Sequence, residues 1–125
     1  MTAKIIIIDD EVHIRMLIAQ TLEELEDQGV EILTATNGEE GLEIIRQERP
    51  RMVFLDVMMP KMNGFDVCQA LRADPELSGT RILMLTAKGR DTEVSKGLGL
   101  GADGYMTKPF STKELLAEVR KLLET

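Results

Sequence analysis

The chain has 125 residues and a formal net charge of −7, with 43% hydrophobic and 30% charged residues. This length suits one domain spanning residues 1–125, and this composition excludes an intrinsically disordered chain. The acidic balance disfavours binding to the phosphate backbone of nucleic acids and suits cations or basic protein partners. The single cysteine excludes an internal disulfide, and no apolar run is long enough to enter a membrane, so we expect a cytoplasmic protein.

The first predicted element is a buried strand made of four consecutive isoleucines, Ile5 to Ile8. It runs directly into the acidic residues Asp9 and Asp10. Apolar residues then recur at three- and four-residue spacing over residues 14–25, which predicts an amphipathic helix. Gly29 is expected to end this helix.

A second strand and helix follow, and then the most distinctive strand of the chain. Residues 30–36 mix apolar and polar side chains, which is typical of a strand near the edge of a sheet. Asn37 and Glu40 are spaced as a helix-capping pair, and Pro50 closes the second helix. The run Met52 to Asp56 predicts a strand buried on both faces, with a carboxylate at its carboxyl end.

The second half of the chain continues the alternation after a turn at Asn63-Gly64. The predicted elements are a helix around Val67 to Leu71, a strand from Ile82 to Leu85, a short helix around Asp91 to Leu98, a strand from Tyr105 to Thr107 and a last helix capped by Ser111 and Glu114. Five strand–helix alternations predict an α/β fold, a five-stranded parallel sheet with helices on both faces. The first, third and fourth strands are the most apolar and are expected to be central.

Polar residues follow four of these strands, namely Asp9 and Asp10, Asp56, Thr86 and Lys108. The carboxyl ends of parallel strands share one rim of the sheet, so we expect these side chains to meet there. Three carboxylates repel one another unless a cation intervenes, and oxygen ligands of this kind suit Mg²⁺. A nucleophilic carboxylate, a metal, an ammonium and a hydroxyl are the parts that phosphoryl transfer requires.

Over essentially its whole length the chain resembles the receiver domain of two-component response regulators. The matching segments are Asp9-Asp10, Asp56-Val57-Met58-Met59-Pro60, Asn63-Gly64, Thr86-Ala87 and Tyr105-Met106-Thr107-Lys108-Pro109-Phe110. The resemblance implies the flavodoxin-like strand order 2-1-3-4-5. It also implies a phosphoprotein of a phosphorelay, a signalling domain whose only catalysis concerns its own aspartate.

Residue by residue, the resemblance implies that Asp56 accepts a phosphoryl group from a phosphohistidine. The donor would be a sensor histidine kinase or a His-containing phosphotransfer protein. Asp10 and Asp56 would bind Mg²⁺ directly, with Mn²⁺ as a substitute. Asp9 would bind the ion through water, and the backbone carbonyl of Met58 would complete the protein ligands.

The resemblance also implies a switch. Lys108 would pair with the phosphoryl oxygens, and the Lys108-Pro109 peptide would be cis. Thr86 would move towards the phosphoryl group while Tyr105 rotates into the vacated space. The face of the fourth helix, fifth strand and fifth helix would then change and bind an output protein.

Some residues depart from the usual pattern of the family. Gly99 and Gly104 stand where family members often carry acids, which predicts a looser fourth helix. Met58 and Lys88, two residues after Asp56 and Thr86, occupy positions that influence the lifetime of the acyl phosphate in the family.

Simpler structural roles explain several of these residues when each is taken alone. Asp9 and Asp10 together could cap a helix, and only their joint placement with the other rim residues argues for a metal site. For Tyr105, packing at an edge strand and switching explain the sequence equally well. Cys68 is interpreted as a core residue and His13 as a solvated surface residue.

Two other functions compete with a receiver domain. A phosphatase or phosphotransferase of the dehalogenase type would form an aspartyl-phosphate and turn over external substrates, but it would place a second Asp where Met58 stands. A flavodoxin-like FMN carrier would need a phosphate-binding loop after the first strand, where Asp9-Asp10-Glu11 repels phosphate. Because no DNA-binding or catalytic output segment is present, we expect a stand-alone relay.

Overall fold

The computed structural model describes residues 3–87 and 91–124. Within them the elements are β1 (Lys4–Ile8), α1 (Val12–Thr21), α2 (Glu23–Asp27), β2 (Glu31–Ala35), α3 (Gly38–Glu48), β3 (Met52–Asp56), α4 (Gly64–Ala73), β4 (Arg81–Ala87), α5 (Asp91–Gly99), β5 (Gly104–Lys108) and α6 (Thr112–Glu124). The five strands form one parallel sheet in the order β2-β1-β3-β4-β5. The predicted fold class, strand order and edge strands are therefore confirmed.

The sheet separates two hydrophobic cores because side chains alternate along each strand. In β1, Ile5 and Ile7 face one core, Ile6 and Ile8 face the other, and all four are fully buried. Apolar residues of α1, α2 and α6 cover the first core, whereas those of α3 and α4 cover the second. Burial of the central strands on both faces explains why they read as continuous apolar runs.

The single first helix predicted from the sequence is in fact two helices, so the described residues form six helices and not five. The break falls at Leu22, whose backbone N–H is shared between the carbonyls of Ile18 and Ala19. One residue earlier, the Thr21 hydroxyl donates to the Leu17 carbonyl at 2.8 Å. Such bonding back to the preceding turn bends helices, which accounts for the break. Gly29 follows α2 with a φ of 98°, a left-handed conformation that is common at the carboxyl ends of helices, so Gly29 ends this helical segment as predicted.

Both predicted helix caps are confirmed. The backbone N–H of Glu40 donates to Asn37 Oδ1 at 2.9 Å, and the backbone N–H of Glu114 donates to Ser111 Oγ at 3.3 Å. Cys68 is buried as expected. Across the described ranges, no helix has the length and apolar character needed to cross a membrane.

Candidate functional site

Strand register brings the predicted polar residues to one rim of the sheet. Ile8 pairs with Leu55. Asp9 follows Ile8 and Asp56 follows Leu55, so the two aspartates lie side by side. On the neighbouring strands, Thr86 pairs with Thr107. Residues from four separate strand ends thus meet at one place, as predicted.

The rim contains a compact group of three carboxylates. Asp9, Asp10 and Asp56 each offer an oxygen, and these atoms lie within 4.8 Å of one another. Asp9 is fully buried and Asp56 is 5% exposed, whereas Asp10 is open to solvent. Burial, followed by the charge of Asp9, raises the pKa of Asp56 from 3.8 to about 7. These carboxylates repel one another, and a bound divalent cation, which prefers oxygen ligands, would relieve that repulsion.

Lys108, the last residue of β5, places a positive charge directly beside two of these carboxylates. Its Nζ lies 2.9 Å from Asp9 Oδ2 and 3.5 Å from Asp56 Oδ1. Burial lowers the pKa of Lys108, but the hydrogen bond to Asp9 and the surrounding carboxylates outweigh it, and the pKa rises. Lys108 therefore stays charged. The Lys108-Pro109 peptide is cis, which confirms that prediction.

The turn after β3 fixes the direction of the Asp56 backbone. The Val57 N–H donates to the Leu85 carbonyl at 3.2 Å, and the Gly64 N–H donates to the Val57 carbonyl at 3.0 Å. A Cβ at Gly64 would overlap the Asp56 carbonyl oxygen, so only glycine fits this approach. Met58 stands on this turn with its side chain 62% exposed at the rim.

Thr86 and Tyr105 differ sharply in their surroundings. Thr86 is 2% exposed, and its buried hydroxyl has no hydrogen-bond partner within the ranges that the structure describes. Tyr105 is 47% exposed and points outward from β5. An unpaired buried hydroxyl is costly, so this position has an unused capacity to bind a polar group. Lys88 lies outside the described residues.

Three contacts at the rim, made by Glu11 and Arg15, were not predicted from the sequence. Glu11 Oε1 lies 3.6 Å from Lys108 Nζ, and Glu11 Oε2 lies 3.2 Å from the exposed ring of His13. Arg15 donates to the backbone carbonyl of Asp9 at 2.7 Å. Only their positions in the sequence could have indicated these contacts, because Glu11 directly follows the aspartate pair and Arg15 lies one helical turn after Glu11.

A family model of the response regulator receiver domain matches residues 5–120. The chain belongs to this family. The comparisons give no support to the dehalogenase-type alternative, and the regulators that the chain matches are consistent with a signalling role.

Individual relatives agree with this assignment. The receiver domain is 48% identical over 120 residues to a probable transcriptional regulator ycf27 of Cyanophora paradoxa, covering 96% of this chain and 48% of that protein. It is 44% identical over 123 residues to the alkaline phosphatase synthesis transcriptional regulatory protein PhoP of Bacillus subtilis, covering 98% and 49%. The chain thus spans about half the length of the curated relatives it matches.

A solved structure of the chemotaxis protein CheY4 of Vibrio cholerae superposes with a TM-score of 0.86 at 34% identity. The match covers 98% of this chain and 99% of that one. The similarity therefore extends through the whole α/β sheet and its helices.

Proposed function

We propose that Asp56 is the phospho-accepting residue of this receiver domain. A carboxylate oxygen of Asp56 attacks the phosphorus of a phosphohistidine, the P–N bond breaks, and its electron pair leaves with the imidazole. The product is an acyl phosphate on Asp56. The observation that carries this proposal is the position of Asp56, a 5% exposed carboxylate among two other carboxylates and one ammonium.

Asp10 and Asp56 would hold a divalent cation directly, Asp9 through water, and the Met58 carbonyl would be the remaining protein ligand. The closeness of the three carboxylate oxygens supports this ligand set. Mg²⁺ is the proposed ion and Mn²⁺ its substitute, because a few carboxylates with waters and a phosphate suit both. When bound, the ion neutralises charge on the phosphoryl oxygens.

Lys108 and Thr86 would receive the phosphoryl group. Lys108 already lies within 3.5 Å of Asp56 Oδ1, so its ammonium needs little movement to pair with a phosphoryl oxygen. The hydroxyl of Thr86 would donate to another of these oxygens. This interaction would satisfy a hydroxyl that has no partner within the described ranges.

The switch proposed here couples Thr86 to Tyr105. Movement of Thr86 towards the phosphoryl group would leave space beside β4, and the exposed ring of Tyr105 would rotate into it. The face formed by α5, β5 and α6 would then take a second arrangement. Phosphorylation biases two pre-existing packings, which is a population shift.

The partners proposed are a sensor histidine kinase or a His-containing phosphotransfer protein upstream and an output protein downstream. The relatives are regulators of the same family, which supports this assignment. We propose a cytoplasmic signalling domain over residues 1–125 that does not turn over external substrates and does not itself bind nucleic acid.

Phosphorylation by a small phosphodonor such as acetyl phosphate tests the role of Asp56. With Mg²⁺ present, the intact protein should gain the mass of one phosphoryl group, and Asp56→Asn should abolish that gain. Asp66→Asn is the matched control, because Asp66 is an exposed acid in the first turn of α4. Undiminished labelling of the Asp56→Asn protein would remove Asp56 from this role.

A further inference from the structure

A cavity lies at the amino-terminal ends of the strands, at the end of the sheet opposite to Asp56. Its volume is about 250 Å³, and three arginines line it, Arg49, Arg51 and Arg81. Pro50, Leu77 and Leu122 supply apolar surface. Three guanidinium groups around one cavity are unusual in a chain whose net charge is −7.

Acidic side chains neutralise only part of the positive charge of these three arginines. Arg49 pairs with Glu76 at 2.9 Å, on the same cavity wall. Arg51 Nη2 donates to the carbonyl of Leu123 at 2.9 Å, and within the described ranges it has no acidic partner. A carbonyl satisfies one N–H of the guanidinium but leaves its charge and its other donors available.

The third arginine shares its acid with other groups. Arg81 Nη1 lies 3.4 Å from Asp103 Oδ1, while Asp103 Oδ2 accepts from Arg72 Nη2 at 2.9 Å and from the Ile82 N–H at 2.8 Å. One carboxylate therefore serves two arginines and one amide. The cavity wall keeps an excess of positive charge after these pairs are counted.

We propose that this cavity binds a small phosphate-bearing anion with more than one negative charge. Planar guanidinium groups bind phosphate oxygens through pairs of N–H donors, and two of them can hold one polyvalent anion. At about 250 Å³ the cavity is smaller than most sites for drug-sized ligands, so it suits a diphosphate or a short phosphorylated metabolite. The net negative charge of the chain argues against a nucleic-acid backbone as the occupant.

The anion would exchange with Glu76 on Arg49 and bridge to Arg51. Glu76 is thus a built-in competitor, and its removal should strengthen binding. Removal of the Arg51 charge should weaken it. These opposite signs distinguish an anion site from a purely structural cluster, in which either change would only alter stability.

The test is a titration of the ¹⁵N-labelled chain with inorganic pyrophosphate in resin-treated, metal-free buffer at constant ionic strength. Amide signals of Gly79 and Leu122 should shift and saturate. Arg51→Gln should weaken the affinity at least about tenfold, Arg51→Lys should weaken it less, and Glu76→Gln should tighten it. Arg120→Gln, which alters an arginine paired with Glu24 away from the cavity, should leave the affinity unchanged.

Several outcomes would overturn the proposal. One is a set of shifts that sodium chloride reproduces at equal ionic strength. Another is an affinity that Arg51→Gln or Glu76→Gln leaves unchanged in folded protein. Saturable shifts confined to Val57 and Lys108 would place the anion at the phosphorylation rim instead, without affecting the proposed role of Asp56.

Discussion

The burial of Asp56 should make the metal-free protein less stable as pH rises, and Asp56→Asn should remove that effect. The pKa of Asp56 is about 7 in the folded chain and close to its ordinary value of 3.8 in the unfolded chain. Between these values the native state holds the proton more tightly, so stability falls as pH rises through this window. A difference of about three pKa units corresponds to about 4 kcal/mol, a large part of a typical folding free energy.

Without divalent ions at about pH 8, Asp56→Asn should therefore be about 2–4 kcal/mol more stable than the unchanged chain. Near pH 4, where the folded Asp56 is neutral, the two proteins should differ by less than about 1 kcal/mol. Urea unfolding across this pH range measures the difference, in which the carboxylates away from the rim cancel. Mg²⁺ should stabilise the unchanged chain at the higher pH and have a smaller effect on the variant. Parallel pH profiles for the two proteins would refute the reasoning.

Two further predictions concern the rim. Thr86→Val removes a hydroxyl that has no partner within the described ranges, so the unphosphorylated protein should lose less than about 1 kcal/mol in urea unfolding. Phosphorylated Thr86→Val should show smaller phosphorylation-induced NMR shifts on α5, β5 and α6 than the unchanged protein, and equal shifts would exclude Thr86 from the switch. Gly64→Ala should lower the free energy of unfolding by at least about 2 kcal/mol, because the added Cβ would overlap the Asp56 carbonyl oxygen. Gly79→Ala should change it by less than about 1 kcal/mol, because a Cβ at Gly79 would have no neighbouring atom within 4 Å. Equal losses in these two glycine variants would contradict the close approach at the turn.

Continuous apolar runs made much of the fold predictable. The bounds of β3 agree with the prediction at both ends, because the apolar run stops at Asp56 and the strand stops with it. Parallel strands then require that residues following their carboxyl ends share a rim, so the meeting of Asp9 and Asp56 followed from the topology. The capping pairs were equally predictable, since a cap needs only a short polar side chain and a fixed spacing.

Features that depend on tertiary contacts were not predictable. The break at Leu22 arises where Thr21 bonds back to the preceding turn, and threonine makes that contact in only some helices. The approach of Glu11 to Lys108 depends on the position of β5 beside β4, which local sequence does not encode. Likewise, the three arginines of the opposite cavity come from two segments far apart in the chain, and only the paired strands bring them together.

Thr86 offers a way to judge whether one phosphoryl group can operate the proposed switch. Its hydroxyl has no partner within the described ranges, and a phosphoryl oxygen would supply an acceptor that is charged. A hydrogen bond to a charged group contributes about 1.5–3 kcal/mol, which is the size of a typical coupling free energy between two sites. About 3 kcal/mol shifts a two-state equilibrium roughly 150-fold, enough to make a minor packing the major one. If the hydrogen bond formed in both packings, it would not change the equilibrium between them. The switch therefore requires that Thr86 reach the phosphoryl group in only one of the two packings.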